Sequence, residues 1–227
     1  AMSTVIASVD RRSPAQLAGI KPGEQLLTIN GHEIIDVLDY RFYGYDADSH
    51  LTLREPDGAQ RAVHIRKQEG QDLGLNFDTY LMDEMRSCAN HCIFCFVDQM
   101  PPGMRQTLYF KDDDARLSFL LGNYITLTNL TEREAQRIID LHICPINVSV
   151  HTTDPQLHCT MLGNKNAGRS LEYIRAFCKA GIVMNGQIVI CPGWNDGDQL
   201  RRTLRDLTDW EFSSCSLVPV GITKYRK

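Results

Sequence analysis

Cys88-Ala89-Asn90-His91-Cys92-Ile93-Phe94-Cys95 puts three thiols on one short loop, directly after a run, Thr79 to Arg86, that reads as a β-strand. A loop at the carboxyl end of a strand is where a parallel α/β sheet gathers its chemistry. Thiolates are the ligands that iron-sulfur clusters require, and three of them satisfy three irons of a cubane while leaving the fourth open to an exogenous ligand. The same loop can be read as a zinc site of the Cys3His kind with His91 as fourth ligand. His91 abuts Cys92, however, an awkward arrangement for a tetrahedron that must also use Cys88 and Cys95. The remaining cysteines carry a plainer reading. Cys178 falls on the apolar stripe of a helix and Cys144 precedes Pro145, both as small buried hydrophobes, and Cys159, Cys191 and Cys215 form no second pair at cluster spacing.

Working outward, the chain after the loop alternates strands and helices. Strand candidates are Thr79 to Arg86, Tyr124 to Thr128, Ile146 to Val150, Val183 to Ile190 and Ser214 to Val218. Thr131-Glu132-Arg133-Glu134 is a capping box opening a helix with Ala135, Ile138 and Ile139 inward, and Leu171, Ile174, Phe177 and Cys178 line another that stops at Gly181. Asp198 is expected to cap a third, with Leu200, Leu204 and Leu207 inward. This alternation predicts a parallel α/β sheet. Before the loop the pattern differs. Short β-type runs, Thr4 to Val9, Gln25 to Ile29, His50 to Arg54 and Ala62 to Arg66, are punctuated by the turn signals Pro22-Gly23, Asn30-Gly31 and Pro56-Asp57-Gly58, with one helical segment over Asp36 to Tyr43. The polar stretch Lys67 to Asp72 separates the halves, so the expected domains are 1–68 and 73–227.

The totals agree with a folded chain. Its 227 residues, 43% of them hydrophobic, are enough for buried cores. A net charge of -4 and a pI near 6.0 supply no broad positive field, so nucleic-acid or membrane-surface binding is not indicated. Ala1-Met2-Ser3-Thr4 has no basic segment leading into an apolar one, and no stretch is apolar enough to span a bilayer; Ala1 before Met2 reads as a cloning scar. Eight cysteines without an export signal read as reduced thiols, and the expected location is the cytoplasm.

Two resemblances sharpen this. Ser13-Pro14-Ala15, Ala18-Gly19-Ile20, Pro22-Gly23-Glu24, Leu26-Leu27, Ile29-Asn30-Gly31 and Ile34 resemble a PDZ domain, which implies a peptide or protein ligand added as a strand. The glycine-containing carboxylate loop of that family is not visible here, and the other reading is a docking or structural module. The C-x3-C-x2-C spacing with Phe94 before the last cysteine is similar to the signature of the radical S-adenosylmethionine (SAM) superfamily. Longer segments resemble bacterial PDZ-containing radical SAM proteins, iron-sulfur oxidoreductases of unknown function. These are Arg86 to Gln99, Thr107 to Asp114, Gly122 to Leu130, Val148 to Pro155 and Gln187 to Asp196.

The resemblance implies an α/β partial (βα)6-type radical SAM barrel, incomplete relative to the family, behind an N-terminal mostly-β PDZ domain. It implies a 4Fe-4S cluster on Cys88, Cys92 and Cys95, reductive cleavage of SAM to a 5′-deoxyadenosyl radical, an unknown substrate, and a flavodoxin or ferredoxin as electron donor. Phe94 is expected to shield the cluster or adenine side, with Thr128, Asn129, Ser149, His151 and Gln187 around SAM. At Thr128-Asn129 the superfamily usually carries Gly-Gly-Glu, so the carboxylate is missing. Asp112-Asp113-Asp114 reads first as a solvated face and second as a substrate site or proton relay, and Pro192 to Asp196 as a rigid turn on the pocket wall. Two other readings stand beside this one: a non-enzymatic PDZ adaptor with a zinc-stabilised domain, and a cluster-bearing protein used for sensing or docking. The family continues past the stretch Pro219 to Arg226, whereas this chain stops at Lys227.

Overall fold

The computed structural model describes residues 4–225; Ala1, Met2 and Ser3 of the expected scar and start, and Arg226 and Lys227 at the other end, lie outside the described residues. The chain divides into two compact units, Ala1–Met85 and Arg86–Lys227.

In the first unit the order is β1 (Ile6–Val9), α1 (Pro14–Leu17), β2 (Gln25–Ile29), β3 (His32–Glu33), α2 (Val37–Tyr43), β4 (Asp48–Arg54), β5 (Gln60–Arg66) and β6 (Leu75–Phe77). Four strands make an antiparallel sheet in the order β3-β2-β4-β5. Asn30 and Gly31 turn β2 into β3 with φ of 51° and 83°, the left-handed pair that a two-residue hairpin of type I′ demands. Alternation along the strands does the rest: Leu26, Ile29, Leu51, Leu53, Val63 and Ile65 point to the core while their neighbours face solvent. The helices start where capping chemistry allows. Ser13 Oγ accepts from Gln16 N at the head of α1, with Pro14 in the first turn, and Asp36 Oδ1 accepts from Leu38 N at the head of α2.

Beyond β5 and the boundary expected at 68–73, the chain returns to the first sheet system. Residues 71–77 stay with the first unit because β6 pairs antiparallel with β1. Buried Tyr40 ties the approach down: its hydroxyl donates to Asp72 Oδ1 (2.9 Å) and accepts from Leu75 N (3.3 Å), and its ring meets Phe77 edge-on. Gly74, at φ +82°, lies so close to Ser13 that a Cβ there would sit 2.3 Å from the Ser13 Cβ. Only glycine fits that approach. The expected strand over Thr79 to Arg86 does not form. Thr79 to Met82 turns instead, with Met82 at φ +67° and Thr79 Oγ1 donating to Asp83 O. A side chain that bonds its own nearby backbone competes with a ladder.

The second unit contains α3 (Ala115–Leu121), α4 (Glu132–Asp140), β7 (Ile146–Ser149), α5 (Pro155–Leu162), α6 (Gly168–Lys179), β8 (Met184–Ile190), α7 (Gly197–Asp209) and β9 (Ser214–Pro219). Its sheet is parallel, in the order β7-β8-β9, with β9 largely exposed at one edge. The expected strand over Tyr124 to Thr128 contracts to a single parallel bridge from Ile125 to Val148, because Leu127 turns into left-handed backbone at φ +59°. These strands do not close into a barrel. The capping box at Thr131 is formed in both directions. Asp196, rather than Asp198, holds the N-cap position of α7, its carboxylate accepting from Gly193 N and not from the helix; Asp198 stands exposed in the first turn, paired with Arg201, while Leu207 is buried and Leu200 and Leu204 half-buried. Helices α3 and α5 are additional to those expected from the sequence pattern. Among the described residues no helix is long and apolar enough to cross a membrane.

We expect Gly74→Ala to cost the first unit about 2 kcal/mol, the order of magnitude for forcing a side chain into left-handed backbone. Faster hydrogen exchange of the β1 and β6 amides would show it, and an unchanged exchange pattern would contradict the role given to this approach.

Candidate functional site

The cysteine loop is held by its backbone and by one buried amide. Cys88 N donates to Lys111 O (2.6 Å), His91 N to Leu162 O and Ile93 N to Met161 O (2.9 Å each), so the loop is laced to the end of α5. Gly163 makes that contact feasible. It caps α5 at φ +58°, and a Cβ there would lie 2.5 Å from His91 O. Asn90 is 1% exposed, and its amide is fully used. Nδ2 donates to Thr126 Oγ1 (3.0 Å) and Thr128 Oγ1 (2.8 Å), and Oδ1 accepts from Asn164 Nδ2 (2.7 Å). Its own N–H points at Cys88 Sγ (3.4 Å). Cys92, Ile93 and Phe94 then pack on the buried cluster of Met161, Leu162, Ala167 and Cys191.

Opposite the loop, the carboxyl ends of β7 and β8 present polar side chains. Parallel pairing sets Ser149 beside Gln187. His151 follows β7 in left-handed backbone (φ +59°), with its ring 4.3 Å from that of Phe94. Its Nδ1 accepts from Val189 N (3.1 Å), so a neutral ring carries its proton on Nε2. Burial, with His158 nearby, drives its pKa down to about 3, and the ring is neutral at physiological pH. Asn195 explains the turn at Pro192 to Asp196. It is wholly buried, donating to His151 O (2.8 Å) and Val189 O (2.9 Å) and accepting from Cys191 N (2.8 Å). That turn is a bracket for the strand ends.

Cys88, Cys92, Cys95, Phe94, Ser149, His151 and Gln187 all line one cavity of about 540 Å³, within the range of small-molecule sites. Thr128 and Asn129 do not line it. The Thr128 hydroxyl is engaged by Asn90, and Asn129 donates to Ser87 O; Asn123, Tyr124 and Thr126 line the cavity from that segment instead. The aspartate run is not a solvated face as a whole. Asp112 is exposed and accepts from Asn123, whereas Asp113 and Asp114 are buried. Asp114 pairs with buried Arg116 (2.6 Å) and accepts from Arg86 N. Asp113 accepts from Thr126 N (2.6 Å), and burial pushes its carboxyl up to about 6. Lys111 and Asn90 carried no signal strong enough to single them out, because their roles come from long-range neighbours.

The donor set can be tested against candidate groups. Burial, and then Cys88 and Cys95, push the Cys92 thiol up to about 12, and burial also raises Cys88. Three thiolates here need a compensating metal charge. Nearby, Lys111 donates to Asn90 O and the Asp98 carboxylate; burial alone would lower its pKa, but Asp98 and the cysteines hold it above the ordinary lysine value. A tetrahedral zinc site with Zn–S near 2.3 Å needs three sulfurs about 3.8 Å apart. A cubane binds each thiolate to a different iron and asks for wider spacing. Three thiols facing one cavity are a donor set of the kind a cluster uses.

Comparison with known proteins gives two family matches. A family model for a PDZ domain matches residues 5–54, and one for a Radical SAM-like domain matches residues 67–216. No curated protein matches the chain. The second match spans well over half of the sequence and contains the cysteine loop, β7 and β8: the chain belongs to the Radical SAM-like domain family, with a PDZ domain ahead of it.

Proposed function

We propose that the chain is a radical SAM enzyme in which Cys88, Cys92 and Cys95 hold a 4Fe-4S cluster and the facing strand ends receive SAM. The observation that carries this reading is the convergence of the three thiols with Ser149, His151 and Gln187 on one cavity. When bound, the cluster and SAM together supply one-electron cleavage to a 5′-deoxyadenosyl radical, which takes hydrogen from a substrate.

The chain's own residues prepare the place. The Ser149 hydroxyl and Gln187 amide, side by side on adjacent strands, offer donors and acceptors to the ribose or amino-acid end of SAM. Neutral His151 offers one N–H and cannot introduce a second positive charge beside a sulfonium. Phe94, packed on His151, excludes water from the loop side. Lys111 balances thiolate charge, and Thr128 and Asn129 act through the loop and not on SAM. We read β7, β8, β9 and the Ile125 bridge as one arc of a (βα)6-type barrel. The reductant is then a flavodoxin- or ferredoxin-class protein, the compartment the cytoplasm, and the PDZ domain takes a peptide or protein ligand.

Anaerobic reconstitution is expected to load about four iron and four sulfide per chain, and addition of reductant and SAM to release 5′-deoxyadenosine. Replacing all three cysteines by alanine should abolish both. A fully loaded, reduced cluster that leaves SAM intact would overturn the enzymatic reading.

Ser149→Ala and Gln187→Ala should each weaken SAM binding to the reconstituted protein by about tenfold, the worth of one or two polar contacts, with cluster content unchanged. Calorimetric titration reads the affinity directly. Equal affinity in both variants would remove these residues from the SAM site.

A further inference from the structure

Away from the cavity, the first unit carries a second constellation of metal-ligating groups. Asp48 and His50 are two residues apart on β4 and so share a face, and His64 on β5 is the direct cross-strand partner of His50. All three are exposed. The two imidazoles stack with centroids 4.3 Å apart and planes 3° from parallel. Both Nε2 atoms approach one carboxylate oxygen, Asp48 Oδ1, at 2.5 Å from His64 and 3.4 Å from His50. Among the described residues this is the one group in which three such ligand atoms lie within 4.8 Å of one another.

We propose that Asp48, His50 and His64 form a surface site for a divalent transition-metal ion of the Zn2+ class. Two neutral imidazole nitrogens and one carboxylate oxygen are a donor set that zinc accepts, water completing the coordination. Calcium and magnesium, which require mostly oxygen, are disfavoured. The ligands stand on paired strands, so the register brings them together before any ion arrives. Two contacts steady them further. Asn30 accepts from His50 N (2.8 Å) and donates to Asp48 O (3.4 Å), and Arg66 Nε lies 3.6 Å from Asp48 Oδ2, turning Oδ1 toward the rings. The Arg66 charge also opposes a cation, which places the site in a moderate, exchangeable class of affinity. This reading is independent of the cluster.

The test uses the full chain with Cys88→Ser, Cys92→Ser and Cys95→Ser, which removes competing thiolates. Zn2+ alone is titrated against a chromophoric chelator. One zinc per chain is expected at micromolar concentration, weakened about tenfold or more by His64→Ala or His50→Ala, which alter only exposed side chains. No zinc binding in that range, or unchanged binding after His64→Ala, overturns the proposal. Should the cysteine variant fail to fold, long-range 1H–15N spectra of the unaltered chain decide. Zinc must then shift the Nε2 resonances of His50 and His64, and resonances that stay in place overturn the site.

Discussion

A single buried amide organises the functional half of this protein. Asn90 sits in the middle of the cysteine loop with almost no exposure, where an unpaired amide would cost several kcal/mol. Its partners come from two distant segments, Thr126 and Thr128 on one side and Asn164 on the other. Satisfying Asn90 thus requires the loop, the end of the 124–128 segment and the α5–α6 connection to meet at one point. Gly163 permits the last of these approaches, since any side chain there would collide with His91 O. The three thiols are positioned as a consequence of that meeting.

The facing wall obeys a similar logic. Parallel pairing of β7 and β8 places Ser149 and Gln187 side by side, but the strands must also stop together for their ends to form a pocket. They stop because His151 turns into left-handed backbone, a conformation that costs energy for a residue with a side chain and persists only where the surroundings enforce it. Asn195 enforces it, clamping His151 O and Val189 O at once. Leu127 makes the same kind of turn at the end of the neighbouring segment. Strain at the rim of a site is what converts regular strands into a shaped cavity.

The first unit shows what a local reading of the polar stretch leaves out. Residues 67–72 are polar and turn-like, and nothing in them reveals that the chain comes back. The return is written in distant partners: Tyr40 for Asp72 and Leu75, Ser13 for Gly74, and β1 for β6. The family match beginning at residue 67 and the compact unit ending at Met85 overlap for this reason, the returning strand belonging to both descriptions.

Sequence alone determined what depends on spacing and on residue type. The thiols at C-x3-C-x2-C, the Asn30-Gly31 turn, the Thr131 capping box, the strand cores from Gln25, Ile146, Val183 and Ser214, and the pairing of a PDZ domain with a Radical SAM-like domain were all legible from short-range pattern. Tertiary structure decided what depends on long-range neighbours. It drew Ser149, His151 and Gln187 onto the thiol cavity and kept Thr128 and Asn129 off it; it buried Asp113 and Asp114 within a charged run; it turned Thr79 to Met82 out of a strand; and it set His50 against His64. The physical reason is the same in each case. A side chain's role depends on which hydrogen-bond partners and how much solvent surround it, and those are supplied by residues tens of positions away along the chain.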